Sequence, residues 1–194
     1  MWWDGLEHVT IEPPLETDTT ADIAIVGGGY TGLWTAYFLK QIQPNVDVVL
    51  VEAKQIGHGA SGRNGGWLMG TLEGCDAFVD DSGKLPLQAR QQLTELVSRA
   101  GEILAKENID CDFHHGGCIM AAARHGVQIA RAQSMLAGFH GLGFAEDDYH
   151  WLTPTELSDR IQVANPGGAV FTPHVARVQP AKLVTGLARV VRSL

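Results

Sequence analysis

The first regular pattern along the chain is the apolar run Ile23–Val26, bounded by Asp22 and Gly27. A short β-branched run without polar alternation predicts a strand buried on both faces of a parallel sheet. The rhythm then changes, with Leu33, Trp34, Tyr37, Phe38 and Ile42 recurring at helical spacing until Pro44 stops the run. A second apolar run, Val46–Glu52, follows. The order is strand, helix, strand, and the consecutive glycines Gly27, Gly28 and Gly29 stand at the first turn.

Farther on, Leu93, Leu96, Val97, Ile103 and Leu104 repeat at helical intervals within residues 85–108, with polar residues between them. Residues 109–123 read as two strands around Gly116 and Gly117, and residues 128–139 as another helix. The stretch WLTPTELSDRI, from Trp151, predicts the start of a further helix, with Thr153 as cap before Pro154 and Glu156. A turn at Asn165 leads into a strand near Phe171, and Leu183, Val184, Leu187, Val190 and Val191 form the apolar stripe of a last helix. Trp2 and Trp3 read as an N-terminal arm packed on the body rather than a substrate cage.

Composition narrows the class of partner. Of 194 residues, 45% are hydrophobic and 19% charged, enough apolar material for a core. The net charge of -8, with no stripe of Lys or Arg, excludes a nucleic-acid partner. No apolar run approaches the roughly 20 residues that span a bilayer, so no membrane partner is expected. Cys75, Cys111 and Cys118 form no even-numbered framework and the N-terminus shows no secretory pattern, which together predict a cytoplasmic protein.

Gly27, Gly29 and Gly32 fit G-x-G-x-x-G, in which the first glycine permits the turn, the second admits a pyrophosphate and the third lets helix and strand approach. Glu52 stands twenty residues after Gly32, at the end of the second strand, where a carboxylate can accept from both ribose hydroxyls. Tyr30 and Thr31 open the helix, whose free amides and dipole stabilise a diphosphate, and Ala53 follows the acid. These features predict an ADP-containing dinucleotide. They do not separate FAD from NAD, although Glu52 favours NAD over NADP within the nicotinamide reading.

The stretches DIAIVGGGYTGLWTAYFL, VVLVEA and GASGRNGGW together resemble the FAD-dependent oxidoreductases of the D-amino-acid oxidase superfamily, close to the sarcosine, glycine and γ-glutamylputrescine oxidase group. The resemblance covers essentially the whole chain and is strongest over residues 22–67. It implies FAD as cofactor, with Ser61, Gly62 and Arg63 near the diphosphate and ribityl chain and Asn64, Gly65 and Gly66 passing the isoalloxazine. Amides near that ring would stabilise the anionic reduced flavin. His58 reads as a solvated loop residue. A small-molecule amine or amino acid is the implied substrate, oxidised at the carbon next to nitrogen, and no catalytic residue can be named in this chain.

The implied fold class is α/β: a Rossmann-like βαβ unit with the start of an α+β substrate domain, incomplete relative to the family. Residues 1–74 would hold the βαβ unit and flavin loop, 75–108 a helical segment of the same domain, 109–180 part of the substrate domain, and 181–194 a helix returning to the first. By resemblance the chain is the N-terminal portion of a longer enzyme. The last helix would then lack a strand to pack on, predicting exposed apolar surface, self-association or capture by a complementary C-terminal polypeptide. A non-catalytic chain or one part of a split enzyme is the alternative. Cys111, His114, His115 and Cys118 have neither the spacing nor the shared face of a metal site, and none is expected.

Overall fold

The computed structural model describes residues 1–6, 11–71 and 74–194. In chain order the elements are β1 (Ile23–Val26), α1 (Tyr30–Ile42), β2 (Val48–Val51), β3 (Trp67–Met69), α2 (Leu87–Lys106), β4 (His114–His115), β5 (Cys118–Ala121), α3 (Gly126–Gly141), β6 (His150–Leu152), α4 (Pro154–Arg160), β7 (Ala169–Thr172), β8 (Val175–Arg177) and α5 (Pro180–Ser193). They fall into two compact units, the first comprising residues 1–67, 102–113 and 178–194, the second residues 68–101 and 114–177.

In the first unit β1 and β2 pair in parallel, with Ile23 opposite Val48 and Ile25 opposite Leu50. Helix α1 packs on this sheet through buried Leu33, Ala36 and Tyr37, and α5 packs along α1. Tyr37 donates its hydroxyl to Glu107 at 2.7 Å, and the Arg189 guanidinium donates to the carbonyls of Glu107 and Asn108, tying both helices to the segment after α2.

Two expectations fail here, for one reason. The β1 strand is not buried on both faces: Ala24 is exposed and Val26 is 87% exposed, because the helices cover only the Ile23 and Ile25 side. The apolar stripe of α5 is not exposed either. Leu183, Val184, Leu187 and Val190 are all buried, against α1, Ile109 and the loop after β2. The unpartnered apolar surface therefore lies on the outer sheet face and on α1, where Phe38 and Ile42 are exposed.

In the second unit β4 with β8, β5 with β7 and β6 with β7 pair antiparallel. Strand β7 lies between β5 and β6, with Cys118 opposite Thr172 and Trp151 opposite Val170, and β8 lies between β3 and β4. Trp151 and Leu152 form a strand that runs directly into the helix start expected at Thr153. Thr153 and Glu156 bond reciprocally as a capping box and start α4 at Pro154. The core gathers Leu85, Phe144, Tyr149 and Val170, with the Phe139 ring stacked on Tyr149 at 3.9 Å.

Candidate functional site

The turn between β1 and α1 is shaped by what its residues lack. Gly27 has φ +110°, a conformation costly for any residue with a Cβ, and its amide donates to the Val51 carbonyl at 2.7 Å. A Cβ on Gly32 would overlap the Gly27 carbonyl oxygen, so the third glycine sets the helix against the turn as the motif requires. Gly29 precedes the first helical residue in extended conformation and supplies no side-chain cap. Leu33 donates back to the Gly29 carbonyl as the first helical bond, which leaves the amides of Tyr30, Thr31 and Gly32 without intrahelical acceptors.

The surroundings satisfy one of these donors. Ser61 Oγ accepts from the Tyr30 amide at 2.9 Å, placing the loop after β2 against the helix start. The Tyr30 side chain is committed elsewhere, its hydroxyl donating to the Pro180 carbonyl at 3.0 Å and its pKa pushed up to about 12 by burial. Thr31 is exposed.

Glu52 lies just beyond β2, and its carboxylate oxygens accept from the amides of Gly28 and Lys54 at 2.9 and 3.0 Å. The Gly28 bond above all holds the carboxyl below the usual range, with His58 adding a favourable charge. His58 is half-buried rather than solvated. Gly28 is a site glycine that the G-x-G-x-x-G spacing does not identify: a Cβ there would overlap Ile56 and crowd Glu52. The signal was the unbroken triplet, one glycine more than the motif needs.

The loop from Gly57 to Gly66 is folded on itself. The Gly57 amide donates to the Gly28 carbonyl at 2.9 Å, joining loop to turn. Asn64 Nδ2 donates to the Ser61 carbonyl at 2.9 Å, and Asn64 Oδ1 accepts from the Gly66 amide at 2.9 Å. Gly66, at φ +75°, accepts at its carbonyl from the Val178 amide at 2.8 Å. Gly62 is buried, whereas Ala53, Arg63 and Gly65 are exposed. The structure thus brings Gly27, Gly28, Gly29, Glu52 and Ser61 together around the start of α1.

This arrangement fits a dinucleotide on its own terms. The helix-start amides of Thr31 and Gly32 are free to receive an anion, the bare Gly29 backbone permits close approach, and an ionised carboxylate stands at the tip of the neighbouring strand.

The chain is 29% identical over 182 residues to the gamma-glutamylputrescine oxidoreductase of Escherichia coli, covering 92% of this chain and 41% of that one. It is 30% identical to a probable oxidoreductase, OrdL, of Rhizobium meliloti, covering 97% and 44%. Among solved structures, glycine oxidase of Geobacillus kaustophilus superposes with TM-score 0.65 at 26% identity, over 89% of this chain and 44% of that one. L-amino acid deaminase of Proteus vulgaris gives TM-score 0.69 at 18% identity and shares the fold. The chain spans less than half the length of each of these proteins. Residues 22–194 match the family of FAD dependent oxidoreductases, and the chain belongs to that family.

Proposed function

We propose that this chain provides the ADP-binding half and the flavin loop of an oxidoreductase that oxidises the carbon–nitrogen bond of a small amine or amino acid. The observation that carries the proposal is the convergence of Gly29, Ser61 and Glu52 on the open amides at the start of α1. In this reading the diphosphate is received at the turn that Gly27, Gly28 and Tyr30 shape, by the main-chain donors of Gly29, Thr31 and Gly32, the amides of Gly27, Gly28 and Tyr30 being held by Val51, Glu52 and Ser61. Glu52 and Ala53 border the adenosine ribose, Ser61, Gly62 and Arg63 follow the diphosphate and ribityl chain, and Asn64, Gly65 and Gly66 lie along the ring. Bound FAD supplies hydride acceptance. The protein's residues supply position and electrostatics: Glu52 orients the ribose, the α1 dipole offsets diphosphate charge, and the loop amides favour negative charge at the ring edge. The relatives' names, gamma-glutamylputrescine oxidoreductase and glycine oxidase, support an amine or amino-acid substrate.

The test is Gly29→Val. A Cβ at Gly29 would stand 2.9 Å from Ser61 Oγ and within 4 Å of no main-chain atom outside its neighbours, so Ser61 is the group that must give way while the diphosphate position is blocked. Flavin fluorescence titration should show FAD affinity at least about thirtyfold weaker, with unchanged far-ultraviolet circular dichroism. Unaltered affinity would remove the assignment.

A second reading is favoured by the open sheet. The outer edge of β2, α1 and the end of α5 enclose a groove of about 580 Å³ lined by Leu33, Ala36, Val48, Leu50 and Val191 among others, and β2 pairs with β1 alone among the described residues. Another polypeptide segment, or self-association, would cover it. Sedimentation that shows a monodisperse monomer at high concentration would count against this reading. Among the described residues no helix is long and apolar enough to cross a membrane, and free Cys75, Cys111 and Cys118 support a cytoplasmic setting.

A further inference from the structure

We infer that Trp2 and Trp3 are positioning residues that hold the Gly57–Gly66 loop in its ligand-ready shape before any cofactor arrives. The inference rests on the assignment of that loop to the flavin, made above.

Chain termini ordinarily fray unless tied down, and this one is tied at both tryptophans. Trp2 Nε1 donates to the Asn64 main-chain carbonyl at 2.9 Å. The Trp2 carbonyl in turn accepts from Gln179 Nε2 at 2.7 Å. Gln179 caps α5, its Oε1 accepting from the Lys182 amide at 2.8 Å, and its own amide donates to the Cys111 carbonyl at 2.7 Å. The arm therefore couples the middle of the loop to the start of a buried helix. A single turn over Trp3–Gly5, closed by the Leu6 amide on the Trp3 carbonyl at 3.1 Å, fixes the direction of the second indole.

The Trp3 ring lies against bare backbone. A Cβ on Gly62 would overlap it, and one on Gly57 would stand 3.4 Å from it. A Cβ on Gly66 would come within 3.7 Å of the Trp2 ring. Gly62 thus has a role that flexibility does not explain: it makes room for the indole, whereas Gly57, at φ +71°, makes room chiefly for Val184. A glycine-rich loop loses much conformational freedom when it orders, and if that loss occurs only on binding it weakens the ligand. Here Trp2 and Trp3 order the loop during folding, and the Gly62, Arg63 and Gly66 amides are already bonded to Gly57, Ala60 and Asn64.

The experiment is residue-resolved amide hydrogen exchange on the full chain without cofactor, paired with an FAD titration followed by NMR. Trp3→Ala should raise exchange at Gly62, Arg63 and Gly66 by about tenfold or more while Ala36 and Tyr37 in α1 stay slow, and should weaken FAD by about tenfold. Trp2→Phe, which keeps the ring and loses the N–H, should show a smaller effect centred on Asn64 and Gly66. Trp3→Phe should recover most of the protection. Unchanged loop exchange in Trp3→Ala overturns the inference, as does equal acceleration of loop and α1 in every variant, since the tryptophans would then act on the whole unit. Faster loop exchange with unaltered FAD affinity also overturns it. Failure of the cofactor reading is recognised separately: FAD then causes no shift at Gly29–Gly32 in the unsubstituted chain, whatever the tryptophan variants do to exchange.

Discussion

The turn at Gly27–Gly32 and the core around Tyr149 are built by opposite means. At the turn, side chains are removed so that backbone meets backbone: Gly32 sits on the Gly27 carbonyl, and Gly28 fits under Ile56. Around Tyr149, aromatic volume fills the space, with Phe139 stacked on the ring and Phe144 edge-on at 5.3 Å. The difference teaches where a substitution will be felt. Adding atoms at the turn should abolish ligand binding or local folding, whereas removing atoms from the aromatic core should cost stability and leave the nucleotide site intact.

The harshest challenge to that comparison is Gly32→Val, for which the Gly27 carbonyl leaves no room. The first unit should fail to fold natively, read as loss of amide protection in α1. Next, Tyr149→Ala removes a ring that is 1% exposed and should destabilise the second unit by about 3–5 kcal/mol in urea unfolding. Gly29 to Gly32 amide shifts on FAD addition should persist in that variant.

A finer prediction concerns Glu52. On the proposed contact with the ribose, Glu52→Gln should weaken FAD by about 1–3 kcal/mol in titration calorimetry. The sign of its pH dependence follows from the lowered pKa that the Gly28 amide produces. A carboxyl held below its ordinary value of about 4.3 stays charged from neutral pH down to about 5, and its contribution is lost only as pH falls through the lowered value. Affinity should therefore be flat across that upper range and drop below it, and Glu52→Gln should flatten the drop. The smallest effect is Tyr149→Phe. The hydroxyl is buried beside Thr172 without a hydrogen bond of ordinary geometry, so its removal should change stability by less than about 1 kcal/mol.

The turn was legible in sequence because its logic is local. Spacing gives Gly27, Gly29 and Gly32 their places, and the parallel register that brings Glu52 beside Gly28 follows from the intervening helix. The burial of β1 was not legible, since an apolar run cannot say whether a second layer covers its other face. Val26 shows that none of the described residues does so. The α5 stripe was read correctly as a packing face, but its partners are α1, Ile109 and the Gly57 loop, contacts that depend on distant segments. Gly28, Gly57 and Gln179 were missed for the same reason: each is dictated by a neighbour far away in sequence, respectively Ile56, Val184 and Trp2.

The central claim, that open amides at the start of α1 receive the diphosphate of FAD, is tested most directly by an NMR titration of the chain with FAD, which reads even weak binding residue by residue. The largest shifts should fall on the amides of Gly29, Tyr30, Thr31 and Gly32, with smaller ones at Glu52 and Ser61, and they should vanish in Gly29→Val. Shifts confined to other parts of the chain, or unaltered in Gly29→Val, would contradict the claim.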